Sequence, residues 1–236
     1  MTSLSNGNNQ RTKTLTGPFL LELKNVSKRY RAAGSWILKD IALSLERGEG
    51  IVIKGRSGGG KTTLLNIIAG LEPPTGGSVL FQGRDLSRMS DRARAGLRNR
   101  RIGYCFQSSF TKKNLTVMEN LILPLIIRGE GVRTARKKGS ETLEMLELER
   151  LASQFPDSLS GGQLQRLSLG RALIGEPDLL LVDEPTGNLD EITAGKILGI
   201  ILDYHKTHSS SLVLVTHDQL DTQPRLKTYH LTNGKI

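Results

Sequence analysis

The chain has 236 residues, 37% of them hydrophobic, and 33 Lys and Arg against 23 Asp and Glu give it a formal charge of +10 at pH 7. That length fits one globular domain carrying a sub-domain. Fourteen basic and four acidic residues lie between 84 and 138, leaving nineteen of each sign elsewhere, so a chain that is basic throughout is excluded and the excess reads as one local docking or steering surface.

A single cysteine, Cys105, excludes an internal disulfide; it sits in an apolar stretch and points to a buried thiol in a reducing compartment. The longest apolar runs, such as residues 121–127 with Pro124 inside, fall short of the roughly 20 residues that span a bilayer, so the polypeptide is not expected to cross a membrane by itself. Residues 1–18 are rich in Ser, Thr, Asn and Gly and are expected to form a flexible tail ahead of a domain over 19–236. From residue 19 onward, apolar or alternating runs predict strands at 19–26, 41–45, 51–53, 78–81, 102–106, 179–182 and 211–215. Helices are predicted at 61–69, 117–127, 133–148, 162–173 and 192–205. The alternation is that of an α/β fold, and the near-continuous apolar character of the last two strands fits a parallel sheet covered on both faces. The span from about 88 to 171 is mostly helical by pattern and holds the basic excess, so an α-helical sub-domain inserted in the α/β core is expected there.

Gly55, Arg56, Ser57, Gly58, Gly59, Gly60, Lys61 and Thr62 satisfy the phosphate-loop pattern G-x-x-x-x-G-K-[ST], between a predicted strand and a helical run that opens at Thr63. Glycines let successive N–H groups face an anion, Lys61 supplies a point charge to terminal phosphates, and the helix start adds its dipole. The Thr62 hydroxyl is then the expected Mg²⁺ ligand. From composition, a chance match in a chain of this size is roughly one in a hundred. A second element is the apolar strand that ends in Asp183 and Glu184. Neighbouring strand residues point to different sides, so Asp183 can join the Mg²⁺ shell, through water, while Glu184 faces the water that attacks the γ-phosphate.

Leu159, Ser160, Gly161, Gly162 and Gln163 form the sequence LSGGQ, about twenty residues before the acidic strand. With the phosphate loop, this order resembles the ATP-binding cassette ATPases. The resemblance covers about 19–236 and implies a P-loop NTPase (RecA-like) core with an antiparallel β edge and the inserted helices. It further implies that Gln107 is the Q-loop residue and a metal neighbour, that Asp190 belongs to the D-loop, and that His217 is the switch histidine. Tyr30 resembles the aromatic that stacks on adenine. Taken alone, Gln107 and His217 read as ordinary polar residues and Tyr30 as a packing aromatic; their place in the ordered set gives them these roles. In this family the signature of one copy faces the phosphate loop of another, so ATP is expected to hold two copies head to tail.

The stretches at 185–190 and 114–125 look like the bacterial group that includes lipoprotein-release, macrolide-export and cell-division ATPases. That resemblance implies an ATPase driving a separate integral membrane subunit from the cytoplasmic face of a membrane, with the ATPase of another exporter or importer of the family as the alternative. Residues 108–113 depart from the group's usual loop after the Q-loop glutamine. A nucleic-acid ATPase is the rival reading for the basic block, and a non-catalytic scaffold is a third. The block holds few aromatics for base stacking and Glu184 and His217 are both present, so an active ATPase with no nucleic-acid partner is expected.

Overall fold

The computed structural model describes residues 18–30, 34–108, 110–187, 189–216 and 226–236; the tail expected at 1–18 lies, apart from its last residue, outside them. An antiparallel sheet is ordered β2 (Trp36–Glu46), β1 (Phe19–Arg29), β4 (Gly76–Phe81) and β5 (Arg84–Asp85). A parallel sheet is ordered β6 (Ile102–Cys105), β7 (Leu179–Asp183), β8 (Ser211–Val215), β3 (Gly50–Lys54) and β9 (Leu226–His230).

The inner strands send alternate residues to opposite faces. Leu179, Leu181, Val213 and Val215 pack with α1 (Lys61–Ile68) and the antiparallel sheet in one core. Leu180, Val182, Leu212 and Leu214 pack with α5 (Gly161–Leu173) and α6 (Glu191–His208) in another, which also encloses Cys105. Burial pushes that thiol's pKa up to about 12, so it behaves as a small apolar side chain. Two-sided burial is the reason β7 and β8 carry apolar residues almost without interruption. A third core joins Leu121 and Leu125 of α3 (Val117–Ile127), Ala135 and Leu143 of α4 (Val132–Met145), and Leu167 of α5.

The span read as mostly helical, about 88–171, first runs through α2 (Asp91–Arg101) and then β6, the strand expected at 102–106, which pairs with β7 from Ile102 opposite Leu179 to Cys105 opposite Val182. That span therefore includes a strand of the central sheet, and the helices with a core of their own begin at α3. The pattern also passes over α2, β9 and the start of β2. Helix α2 buries no residue; Ser90 caps it, Arg94 donates to the carbonyls of Leu86 and Met89, and Arg98 donates to that of Gly70. Strand β9 is a sheet edge with no fully buried residue. In β2 the alternation breaks at Asp40, which takes a left-handed φ of 49° and accepts from the Ser27 hydroxyl. Helix α4 stops at Met145, short of 148, because Glu147 takes a φ of 55°.

Part of the basic excess is structural. Arg128 Nε donates to the Asn99 carbonyl at 2.8 Å and its Nη1 to the Gly175 carbonyl at 2.9 Å, tying the ends of α2 and α3 to the turn before β7. Burial lowers the pKa of Arg128 and of Arg98, because taking a cation from water disfavours its charged form. Arg101 pairs with Asp178 at 3.3 Å.

Candidate functional site

The loop from Gly55 connects β3 to α1 at the C-terminal end of the parallel strands, where ligands bind in open α/β sheets. Gly58 and Gly60 have φ of 72° and 96°, and a Cβ on Gly60 would stand 2.9 Å from Ile37 Cγ2, so a side chain is excluded there on two counts. No side chain caps α1, whose first N–H groups are thereby left for an anion. Lys61 is buried, and its Nζ curls back to donate to the carbonyls of Gly55 at 2.9 Å and Arg56 at 3.1 Å. Arg56, Ser57 and Thr62 are exposed and Gly59 and Thr63 half-buried. An open cavity of about 1080 Å³ follows the outer limb of the loop, Gly55 to Gly59, against Trp36 and Leu231, but is not lined by Lys61, Thr62 or the acidic pair. The side-chain convergence described next, and not that cavity, marks the chemistry.

Strand β7 delivers Asp183 on the face that carries Leu179 and Leu181, toward α1, with 1% of its surface exposed. Neither carboxylate oxygen has a hydrogen-bond partner among the described residues. Burial raises the pKa of this carboxyl; the neighbouring Thr62 hydroxyl opposes the rise, Glu184 adds to it and Lys61 opposes it. Glu184 follows with a left-handed φ of 43°, its N–H donating to the Val215 carbonyl at 2.9 Å. Such a backbone is uncommon outside glycine and is held by its surroundings. The turn brings Glu184 Oε1 to 3.1 Å from Lys61 Nζ, while Oε2 accepts from Gln107 Nε2 at 3.2 Å. Lys61, Glu184 and Gln107, far apart in the chain, therefore meet at one point.

Gln107 leaves the end of β6, which Tyr104 ties to α1 by donating to Asn66 Oδ1 at 3.0 Å. The Tyr104 and Phe106 rings stack at 3.9 Å, and Phe110 meets Phe106 edge-on at 5.3 Å. The segment beyond is organised by Asn120, whose fully buried amide donates to the carbonyls of Lys112, Leu115 and Thr116 and accepts from the Lys112 N–H. Its role had a signal in the sequence, a polar residue within an apolar helical run, but periodicity reads it only as an interruption.

Ser160 caps α5 in a reciprocal box: its N–H donates to Gln163 Oε1 at 2.8 Å and its hydroxyl accepts from the Gln163 N–H at 3.4 Å. Leu159 is buried beneath the helix start, and Ser160 and Gly161 are exposed. A Cβ on Gly162 would stand 2.8 Å from Thr193 Cγ2, so this glycine lets α5 approach the start of α6. There Asp190 caps α6, accepting from the Thr193 N–H at 3.0 Å, a bond that lowers its pKa. The signature and Asp190 are thus neighbours, while the hydrogen bonds of Ser160 and Gln163 stay at the start of α5 and do not reach the Lys61 cluster. Tyr30 is part-exposed beside α1; its hydroxyl donates to Glu72 Oε2 at 2.8 Å, and Lys28 Nζ lies 5.1 Å from its ring centroid. Burial raises the Tyr30 pKa, against a contribution from Thr63 that places the ring near the start of α1. His217 follows Thr216 past β8 and lies outside the described residues.

A parallel sheet with a glycine-rich phosphate loop after one strand and a carboxylate pair after a near neighbour defines a P-loop nucleoside triphosphatase. The chain belongs to the ABC transporter family, whose profile matches residues 38–187, and is an ATP-hydrolysing cassette of that family. It is 36% identical over 229 residues to the lipoprotein-releasing system ATP-binding protein LolD of Xanthomonas campestris, covering 96% of this chain and 95% of the relative. It is 40% identical over 200 residues to the uncharacterized ABC transporter ATP-binding protein YbbA of Escherichia coli, covering 85% and 88% of the two chains. Among solved structures, the dimeric post-hydrolysis state of the ATP-binding cassette MJ0796 bound to ADP and Pi superposes with a TM-score of 0.85 at 36% identity, covering 92% of this chain and 96% of the other.

Proposed function

We propose that the chain is the ATPase subunit of a lipoprotein-release type membrane system, working as a head-to-tail pair of copies that close around two ATP molecules. The reading rests above all on the convergence of Lys61, Glu184 and Gln107 beside the buried Asp183. The phosphates of ATP compete with Glu184 for Lys61, so binding at Gly58 to Thr63 releases the Glu184 carboxylate to accept a proton from the attacking water. Gln107 holds the other carboxylate oxygen and so orients the base. The hydroxyl of Ser160 and the N–H groups at the start of α5 serve the γ-phosphate of the other copy, with Asp190 beside them and His217 as the further γ-phosphate contact. Tyr30 is assigned to stacking on the adenine ring.

Mg²⁺ fits this site: the two orphaned, buried oxygens of Asp183 and the nearby Thr62 hydroxyl are hard oxygen donors, with Gln107 within the same cluster. Bound there, Mg²⁺ would neutralise charge on the transferred phosphoryl group.

No helix among the described residues is long and apolar enough to cross a membrane. We place the pair at the cytoplasmic face, docked on a separate integral membrane subunit through the segment from Gln107 to α3, whose part from Lys112 onward is tied to α3 by the Asn120 hydrogen bonds. The likeness to a lipoprotein-releasing system ATP-binding protein and to a dimeric cassette structure supports this assembly. Lys61→Ala removes the only described cation in contact with Glu184 and the loop carbonyls, and ATP affinity is expected to fall by at least tenfold, about 1.4 kcal/mol, in an equilibrium titration. Unchanged affinity would sink the assignment of the loop. The membrane reading is tested by recovering tagged Glu184→Gln protein from native membranes with ATP: a polytopic subunit with a large extracytoplasmic domain supports it, and recovery of the cassette with no membrane protein overturns it.

A further inference from the structure

The corner between α3 and α4 combines two features that the ATPase reading leaves unused. Helix α4 buries Ala135, Gly139 and Leu143, one stripe at four-residue spacing, against α3. The contact is close enough that a Cβ on Gly139 would stand 2.7 Å from Ile122 Cγ2 and Met118 Sδ. That packing leaves Arg133, Arg136 and Lys137 exposed. At the same end of the hairpin, α3 finishes in Ile126 and Ile127, 37% and 67% exposed, and the chain re-enters α4 at Val132, 58% exposed.

The neighbouring charges are engaged elsewhere. Arg128 is held by the Asn99 and Gly175 carbonyls, and Lys138 lies 3.4 Å from Glu130 and 3.9 Å from Glu176. Glu119 attracts Arg136 from a distance, but its carboxylate is held by the N–H and hydroxyl of Thr116. Among the described residues Arg133, Arg136 and Lys137 form no ion pair. An apolar tip followed along α4 by exposed cations without ion pairs fits an interface that offers anions and hydrocarbon together. An acidic protein loop or a nucleic-acid backbone would satisfy the cations and leave the two isoleucines in water; an anionic bilayer surface satisfies both.

We propose that this corner is an anionic-lipid contact, with Ile126, Ile127 and Val132 entering the boundary between headgroups and acyl chains and Arg133, Arg136 and Lys137 lying against lipid phosphates. The contact needs neither nucleotide nor a membrane subunit, so it stands or falls separately from the ATPase reading. The test is co-sedimentation of the purified full chain with phosphatidylcholine vesicles, with and without phosphatidylglycerol. The chain is expected to bind the phosphatidylglycerol vesicles, less so as salt is raised, and to leave pure phosphatidylcholine in solution. Reversing Arg133, Arg136 and Lys137 to Glu should lower the partition coefficient on the order of a hundredfold, with ATP affinity unchanged as the check on folding. Ile127→Asp should lower it further than a single charge reversal. Absence of binding to phosphatidylglycerol vesicles, or parental binding by the triple variant, overturns the proposal. Insensitivity to Ile127→Asp together with equal binding to an acidic polypeptide overturns it in favour of a protein partner.

Discussion

Replacing Glu184 with Gln is expected to lower steady-state ATP turnover by about two to four orders of magnitude while leaving ATP affinity within a few-fold of the parent. The substitution is nearly isosteric. Its amide oxygen can still accept from Lys61, which lies 3.1 Å from Oε1, or from Gln107, which lies 3.2 Å from Oε2, so the cluster keeps most of its shape. What is lost is the group that can take a proton from water, and the loss falls on the chemical step. With hydrolysis stalled and binding intact, an ATP-bound pair of copies should accumulate and be visible as a dimer by size exclusion. The neutral side chain also holds Lys61 less strongly against an incoming phosphate, so any change in affinity should be toward tighter binding. Turnover at the parental rate would show that Glu184 is not the base, whatever the fate of the dimer.

The parts of this site that are contiguous in the chain are legible in the amino-acid sequence. The phosphate loop, the strand ending in Asp183 and the signature are short motifs whose residues act side by side, and β7 and β8 declare themselves because burial on two faces keeps them apolar almost throughout. The contacts between motifs are not legible there. Pattern alone does not say that Lys61 reaches Glu184, that Gly162 must yield space to Thr193, or that Ser160 spends its hydroxyl on a cap. Helix α2 escapes because its order comes from arginines donating to distant carbonyls, which leaves no apolar period to detect. The same arginines alter the meaning of the charge. Counted in the sequence, the block looks like one surface, whereas Arg94, Arg98, Arg101 and Arg128 are bound into the fold and Arg133, Arg136 and Lys137 stand exposed on α4.

Asp183 should separate stability from function. Its carboxylate is 1% exposed with two oxygens lacking hydrogen bonds, an arrangement that taxes the nucleotide-free fold. Asp183→Asn removes the buried charge at nearly constant shape, and the nucleotide-free protein is expected to gain about 1–3 kcal/mol, with roughly 2–4 °C in Tm for each kcal/mol at this chain length. The sign follows from the raised pKa. Burial favours the protonated carboxyl in the folded state, so the parent loses stability as pH rises from the ordinary aspartate value of about 3.9 through the higher folded one. The advantage of the variant should therefore be absent in acid and grow as pH rises through that higher folded value. Adding ATP with Mg²⁺ should reverse the ranking, because only the parent gains a charge partner, and hydrolysis by the variant should fall with it. Thermal melts of both proteins with and without nucleotide across this pH range decide the matter. A variant less stable than the parent at neutral pH without nucleotide would mean that the folded state already compensates the Asp183 charge, and the orphaned carboxylate would lose its standing as the sign of a cation site.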